Sequence, residues 1–196
     1  MNIGMEYHVL ISSFVVALTF IGYAPYIYDI IKGKTKPHTF TWFVVALTAF
    51  LAYGLQVVGG AGVGSWALLS VSGICILVFL LSLWRGSRDI TFSDVVFLIL
   101  SLVALLLWIV AKEPVLSVLL ITIAEVLSFF PTIRKSWKDP NSETLSTYQI
   151  SAFRHGLSIL ALEQLNILTA LYPIAWTLTN VAITVILMVR RQQIKK

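Results

Sequence analysis

Charge is what this chain has least of. Only 12% of its 196 residues are Asp, Glu, Lys or Arg, about half the share of a soluble globular domain. Cysteine is nearly absent too: Cys75 stands alone, so no disulfide can form within the chain. Polar segments between apolar runs reach only about ten residues, which leaves no room for a soluble domain. No Ser-His-Asp or HExxH pattern is present, nor paired metal carboxylates, and GVGS from Gly62 to Ser65 lacks the lysine of a phosphate loop. These absences give no support to an enzyme, a metal site or a cofactor. The last apolar run, Ile167 to Val189, has no lysine, which excludes a retinal Schiff base there.

What is present is hydrocarbon. The chain is 58% hydrophobic with a mean hydropathy of +0.90, the signature of an integral membrane protein. Seven apolar runs, at about 9–28, 39–58, 62–84, 92–111, 115–133, 144–163 and 167–189, each approach the roughly 20 residues that a helix needs to cross a bilayer core. Barrel strands are shorter and alternate in polarity, so the expected fold is an all-α bundle of seven transmembrane helices. The segment MNIGMEYH before the first run carries no Lys or Arg, so that run reads as a retained span rather than a signal peptide.

Basic residues mark the cytoplasmic side of short loops. Lys32, Lys34 and Lys36 follow the first run, Arg85 and Arg88 the third, and Arg134, Lys135 and Lys138 the fifth. Arg190, Arg191, Lys195 and Lys196 follow the last, whereas the alternate loops hold Lys112 alone. The expectation is an outside amino terminus and a cytoplasmic carboxyl terminus, with the plasma (inner) membrane as location. The net charge of +5 is then a topology signal that membrane lipid reinforces, not a nucleic-acid surface.

The chain also repeats itself at an offset of 106 residues. Pro25 falls on Pro131, Ile27 on Ile133, Lys32 on Lys138, Thr41 on Thr147, Trp42 on Tyr148 and Arg85 on Arg191. Runs one to three thus map onto runs five to seven. The expected units are a first three-helix repeat at 1–90, a linker helix at 91–113 and a second repeat with its basic tail at 114–196. An odd unit followed by one linker helix restores the same orientation, so the repeats are parallel.

The stretch PTIRKSWKDPNSETLSTY, Pro131 to Tyr148, and its weaker copy PYIYDIIKGKTKPHTFTW, Pro25 to Trp42, resemble the PQ-loop motif of the SWEET, SemiSWEET and PQ-loop transporter superfamily. The likeness extends to span count, orientation and repeat position. The glutamine that follows the proline in that motif is Tyr26 in one copy and Thr132 in the other. The resemblance implies alternating access, with Pro25 and Pro131 as hinges.

Depth counting at about 1.5 Å per residue puts Glu125, Arg154 and Asn180 each roughly 13 to 15 Å from the cytoplasmic end of its span. Midplane charges are costly, so such residues pair or face a cavity. Glu125 and Arg154 are expected to pair directly or through a solute or water, and Asn180 resembles a substrate-contacting asparagine of the superfamily. Trp42, Tyr148 and Trp176 are candidate pathway aromatics. Glu125 and His155 are candidates for proton coupling, although His155 lies about 100° around the helix from Arg154 and need not share its cavity. The repeat-one counterparts are Thr19, Thr48 and Ile74, a much less polar wall. The function expected is transport of a small polar solute such as a sugar, amino acid or vitamin. A receptor or lipid-binding protein on the same fold is the alternative, and a homo-oligomer is compatible with the chain without being needed to complete a pathway.

Overall fold

A computed structural model of the chain describes residues 3–33, 37–86, 92–128, 133, 136–138, 140–142 and 145–194. Among them the protein is all helical. The long helices are α1 (Ile3–Ile31), α2 (Thr39–Val58), α3 (Trp66–Arg85), α4 (Phe92–Ile109), α5 (Pro114–Ser128), α6 (Leu145–Leu160) and α7 (Ile167–Ile194). Short 3₁₀ turns occupy Gly62–Ser65 and Pro140–Ser142. Four stretches, Met5–Ile31, Thr39–Val58, Gly62–Arg85 and Ile167–Ile194, are long and apolar enough to cross a membrane, and Val95–Ile109 and Pro114–Leu127 are shorter apolar helices. The weakest of the expected spans is α6, whose sixteen residues include Ser, Thr, Gln, Arg and His.

Polarity is turned inside out relative to a soluble bundle. Phe14, Phe20, Leu80, Leu106 and Leu178 are exposed, while Thr19, Thr48, Gln56, Arg154, His155 and Asn180 are buried. An exterior of large apolar side chains is stable only against lipid. Hydroxyls inside such a bundle have no water to bond, so they turn back on their own helices: Thr19 donates to Val15 O at 2.8 Å and Ser72 to Leu68 O at 2.7 Å.

Packing follows one pattern twice. In the first triplet α3 packs against both α1 and α2, and in the last α7 packs against both α5 and α6. The triplets meet where α1 lies on α6 and α2 on α5 and α7. Helix α4 rests on α5 and α2, with Ser117 Oγ donating to Ala104 O at 2.7 Å. A core of Leu51, Leu55, Leu68, Val118, Ile121 and Tyr172 joins the triplets.

The helix ends behave differently at the two ends of the bundle. At one end the α2–α3 and α6–α7 connections clasp each other across the triplets. Val63 N donates to Glu163 Oε1 at 3.0 Å, Asn166 Nδ2 to Gly59 O at 2.6 Å and Glu163 N to Ala61 O at 3.1 Å. Glycine permits the approach: a Cβ on Gly64 would stand 2.6 Å from Ala161 O and 2.7 Å from Leu162 Cα. At the other end each triplet ties itself. Arg191 Nε donates to Pro140 O at 3.0 Å, and Arg85 Nη1 lies 3.0 Å from where a Cβ on Gly33 would stand.

The clasp makes Gly64 a sensitive position. Gly64→Ala is expected to lower the melting temperature of the purified protein by several degrees, because backbone rather than a mobile side chain must move, a cost of about 1–3 kcal/mol. Gly73→Ala is the control. Nothing lies within 4 Å of its added methyl, and the helix interior gains roughly 0.5–1 kcal/mol from alanine. Equal melting shifts for the two variants would show that the loops are not in contact.

Candidate functional site

The site is built from polar residues that four helices carry into the bundle. On α5, Glu125 Oε2 accepts hydrogen bonds from Tyr172 OH at 2.7 Å and Trp176 Nε1 at 2.9 Å, both on α7. One helical turn separates these two donors, so a single carboxylate oxygen meets both. The Trp176 ring then stacks on His155 of α6, with centroids 5.5 Å apart and planes 17° from parallel. His155 Nε2 is 2.9 Å from Arg154 Nη2, and Arg154 Nη1 donates to Thr19 Oγ1 of α1 at 3.3 Å. The result is a chain of contacts, Glu125–Trp176–His155–Arg154–Thr19, that runs from one triplet into the other.

The geometry fixes a tautomer. A guanidinium has only donors, so His155 Nε2 is the acceptor and the ring proton sits on Nδ1. A proton on Nε2 and the Arg154 contact exclude one another. Arg154 is 7% exposed, and its hydrogen-bond partners, Thr19 and His155, are neutral.

Two expectations change here. Glu125 and Arg154 were expected to pair directly or through a solute or water; of these the direct pair is not seen, since their hydrogen-bond partners differ and His155 and Trp176 stand between them. The expected separation of His155 from Arg154 also fails. Adjacent helix positions do point about 100° apart, but an arginine side chain is long enough to fold back over its neighbour. Both residues are buried and line one cavity.

That cavity lies next to the clasped end. It is small and largely enclosed, with room for about one water, and Gln56, Arg154, His155, Ser158 and Pro173 contribute to its wall. Pro173 has no N–H to donate to Thr169 O four residues earlier, and Gln56 Nε2 of α2 takes that place at 2.7 Å. The proline-bearing helix of one triplet is thus bonded to the other triplet.

The remaining candidates are scattered. Asn180 is buried one turn beyond Trp176, and its Nδ2 donates to Trp176 O at 2.8 Å. Trp42 belongs to the first triplet, with Nε1 donating to Tyr26 OH at 3.2 Å. Tyr148 is half-buried near the start of α6. Pro25 is exposed within α1, and Pro131 lies outside the described residues. Sequence reasoning missed Tyr172, Gln56, Ser158 and Pro173. A polar Gln56 in an apolar run and a proline inside the last one were the available signals.

Removing the carboxylate should be felt. Glu125→Leu leaves the Tyr172 and Trp176 donors without their acceptor, at about 1–3 kcal/mol for each donor, so its melting temperature should fall well below wild type. Glu125→Gln keeps an acceptor oxygen and should fall far less. If the two variants melt together, the hydrogen bonds to Glu125 do not hold α5 on α7.

Comparison of the chain with family models, with curated proteins and with solved structures gives no match. What it does is therefore argued from its own geometry.

Proposed function

We propose that the protein carries a small polar solute across a membrane by alternating access between two parallel three-helix repeats, α1–α3 and α5–α7, joined by α4. The observation that carries this reading is reciprocity across the bundle. At the 106-residue offset Thr19 corresponds to Glu125 and Thr48 to Arg154. Arg154 of the second unit touches Thr19 of the first, and Thr48 of the first lies beside Glu125 of the second. Two units related by a twofold axis would make this exchange of contacts. The same offset relates Arg85 to Arg191, and each reaches the loop between the first two helices of its own unit.

The outer loops supply a gate. With the clasped end taken as outside and the basic loops as cytoplasmic, the clasp between the loops supports reading this arrangement as outward-closed. Opening separates Val63 from Glu163 and Gly59 from Asn166, and exposes the Gln56–Arg154–His155 cavity. Pro25 and Pro131 are the hinges of the two units, and Pro173 adds a bend whose bond to Gln56 breaks as the units part. The mutually exclusive partners of His155 Nε2, a proton or Arg154, give a route for coupling solute movement to protons, with Glu125 at the far end of the chain. Trp176 and Asn180 extend the wall, while Trp42 and Tyr148 hold matched positions near the cytoplasmic mouth.

Uptake by proteoliposomes of radiolabelled sugars, amino acids and vitamins tests the reading. Saturable uptake of at least one solute class is the expected result. Solute-dependent thermal stabilisation without uptake would instead make this a binding protein on the same scaffold.

A further inference from the structure

Arg154 and Gln56 leave opposite hydrogen-bonding needs unmet on one cavity wall. A guanidinium offers five N–H donors, and Arg154 spends one on Thr19 and one on His155. Neither partner is a carboxylate, so among the described residues a cation sits buried at 7% exposure without an anion in contact. Such a charge is costly in a bundle interior unless an anion reaches it. Gln56, which lines the same cavity, is 2% exposed. Its Nε2 must face Thr169 O, because a carbonyl only accepts and the amide oxygen has no proton to give, and this leaves Oε1 with no hydrogen-bond partner.

We infer that this cavity, which has room for about one water while the outer loops are clasped and widens as they part, is a subsite for a small carboxylate bearing an adjacent hydrogen-bond donor, such as a hydroxy or amino acid. The carboxylate takes the free N–H groups of Arg154, where the planar guanidinium matches its two oxygens. The solute's own O–H or N–H donates to Gln56 Oε1, and Ser158 completes the polar wall. A bare inorganic anion would satisfy Arg154 and leave Gln56 Oε1 unpartnered; a sugar would satisfy Gln56 and leave the buried charge uncompensated. This assignment rests on the reading of the cavity as the solute site and adds the class of solute it takes.

The test uses the full-length protein in nanodiscs, with calorimetric titration and melting temperature as readouts. Glycolate, the smallest hydroxycarboxylate, is compared with its neutral isostere glycolamide, with acetate, which lacks the adjacent donor, and with chloride. Glycolate should bind about tenfold or more tightly than glycolamide, as expected for a charge-assisted hydrogen bond, and more tightly than acetate or chloride. Arg154→Gln should erase the preference for glycolate over glycolamide. Gln56→Met should erase the preference for glycolate over acetate while keeping that over glycolamide. The wild-type ranking needs no variant, so a misfolded mutant leaves the test intact. Glycolamide or chloride binding as tightly as glycolate, or no binding by any carboxylate, overturns the assignment. Glycolate binding without vesicle uptake would remove transport and keep the site, whereas uptake of neutral solutes alone would remove the site and keep transport.

Discussion

Arg154→Met is expected to reduce solute uptake to background and to leave the melting temperature within a few degrees of wild type, or above it. The two halves of this expectation have separate physical causes. Methionine fills similar space, and the bundle no longer has to hold a buried cation, which costs about 2.5–3.5 kcal/mol at the centre of a membrane. The losses are small by comparison. Thr19 Oγ1 still donates to Val15 O, so it is not orphaned, and only His155 Nε2 gives up its donor, at about 1–3 kcal/mol. These terms nearly cancel. An arginine kept as a fastener between α1 and α6 would behave differently, since its removal would lower the melting temperature and activity together. The measurement pairs thermal unfolding with uptake on one preparation, and a large fall in both would reassign Arg154 to holding the helices.

The sequence was informative along each helix axis and silent about rotation around it. Apolar runs end where helices end, as at Thr39–Val58, because lipid thickness and loop polarity are both written into composition. Depth counting placed Glu125 and Arg154 at similar levels, and the structure does connect them, through Trp176 and His155. Whether two side chains at similar levels face each other depends on helix azimuth, which interhelical packing sets, and this is why a direct pair is replaced by a chain of three contacts. The Gln56 to Thr169 O bond joins residues 113 positions apart. Only the prolines hinted that a carbonyl in α7 would need a donor from elsewhere. Glu163, three residues past the end of α6, bonds Val63 N at the clasped end, a contact between two loops that no periodicity announces.

That clasp offers the most direct test of alternating access. A Cβ placed on Gly60 would lie 3.5 Å from Gln164 Cβ, close to the roughly 3.8 Å typical of bridged cysteines. Gly60 has φ +81°, so Gly60→Cys costs about 1–2 kcal/mol, and the melting temperature of the reduced double variant is measured alongside. Cys75 is buried and can stay. Uptake by the Gly60→Cys/Gln164→Cys protein is then measured reduced, oxidised and reduced again, with formation of the bond followed by mass. If the two units must part at this end in every cycle, oxidation stops uptake and reduction restores it. Undiminished uptake by the fully cross-linked protein would contradict the account.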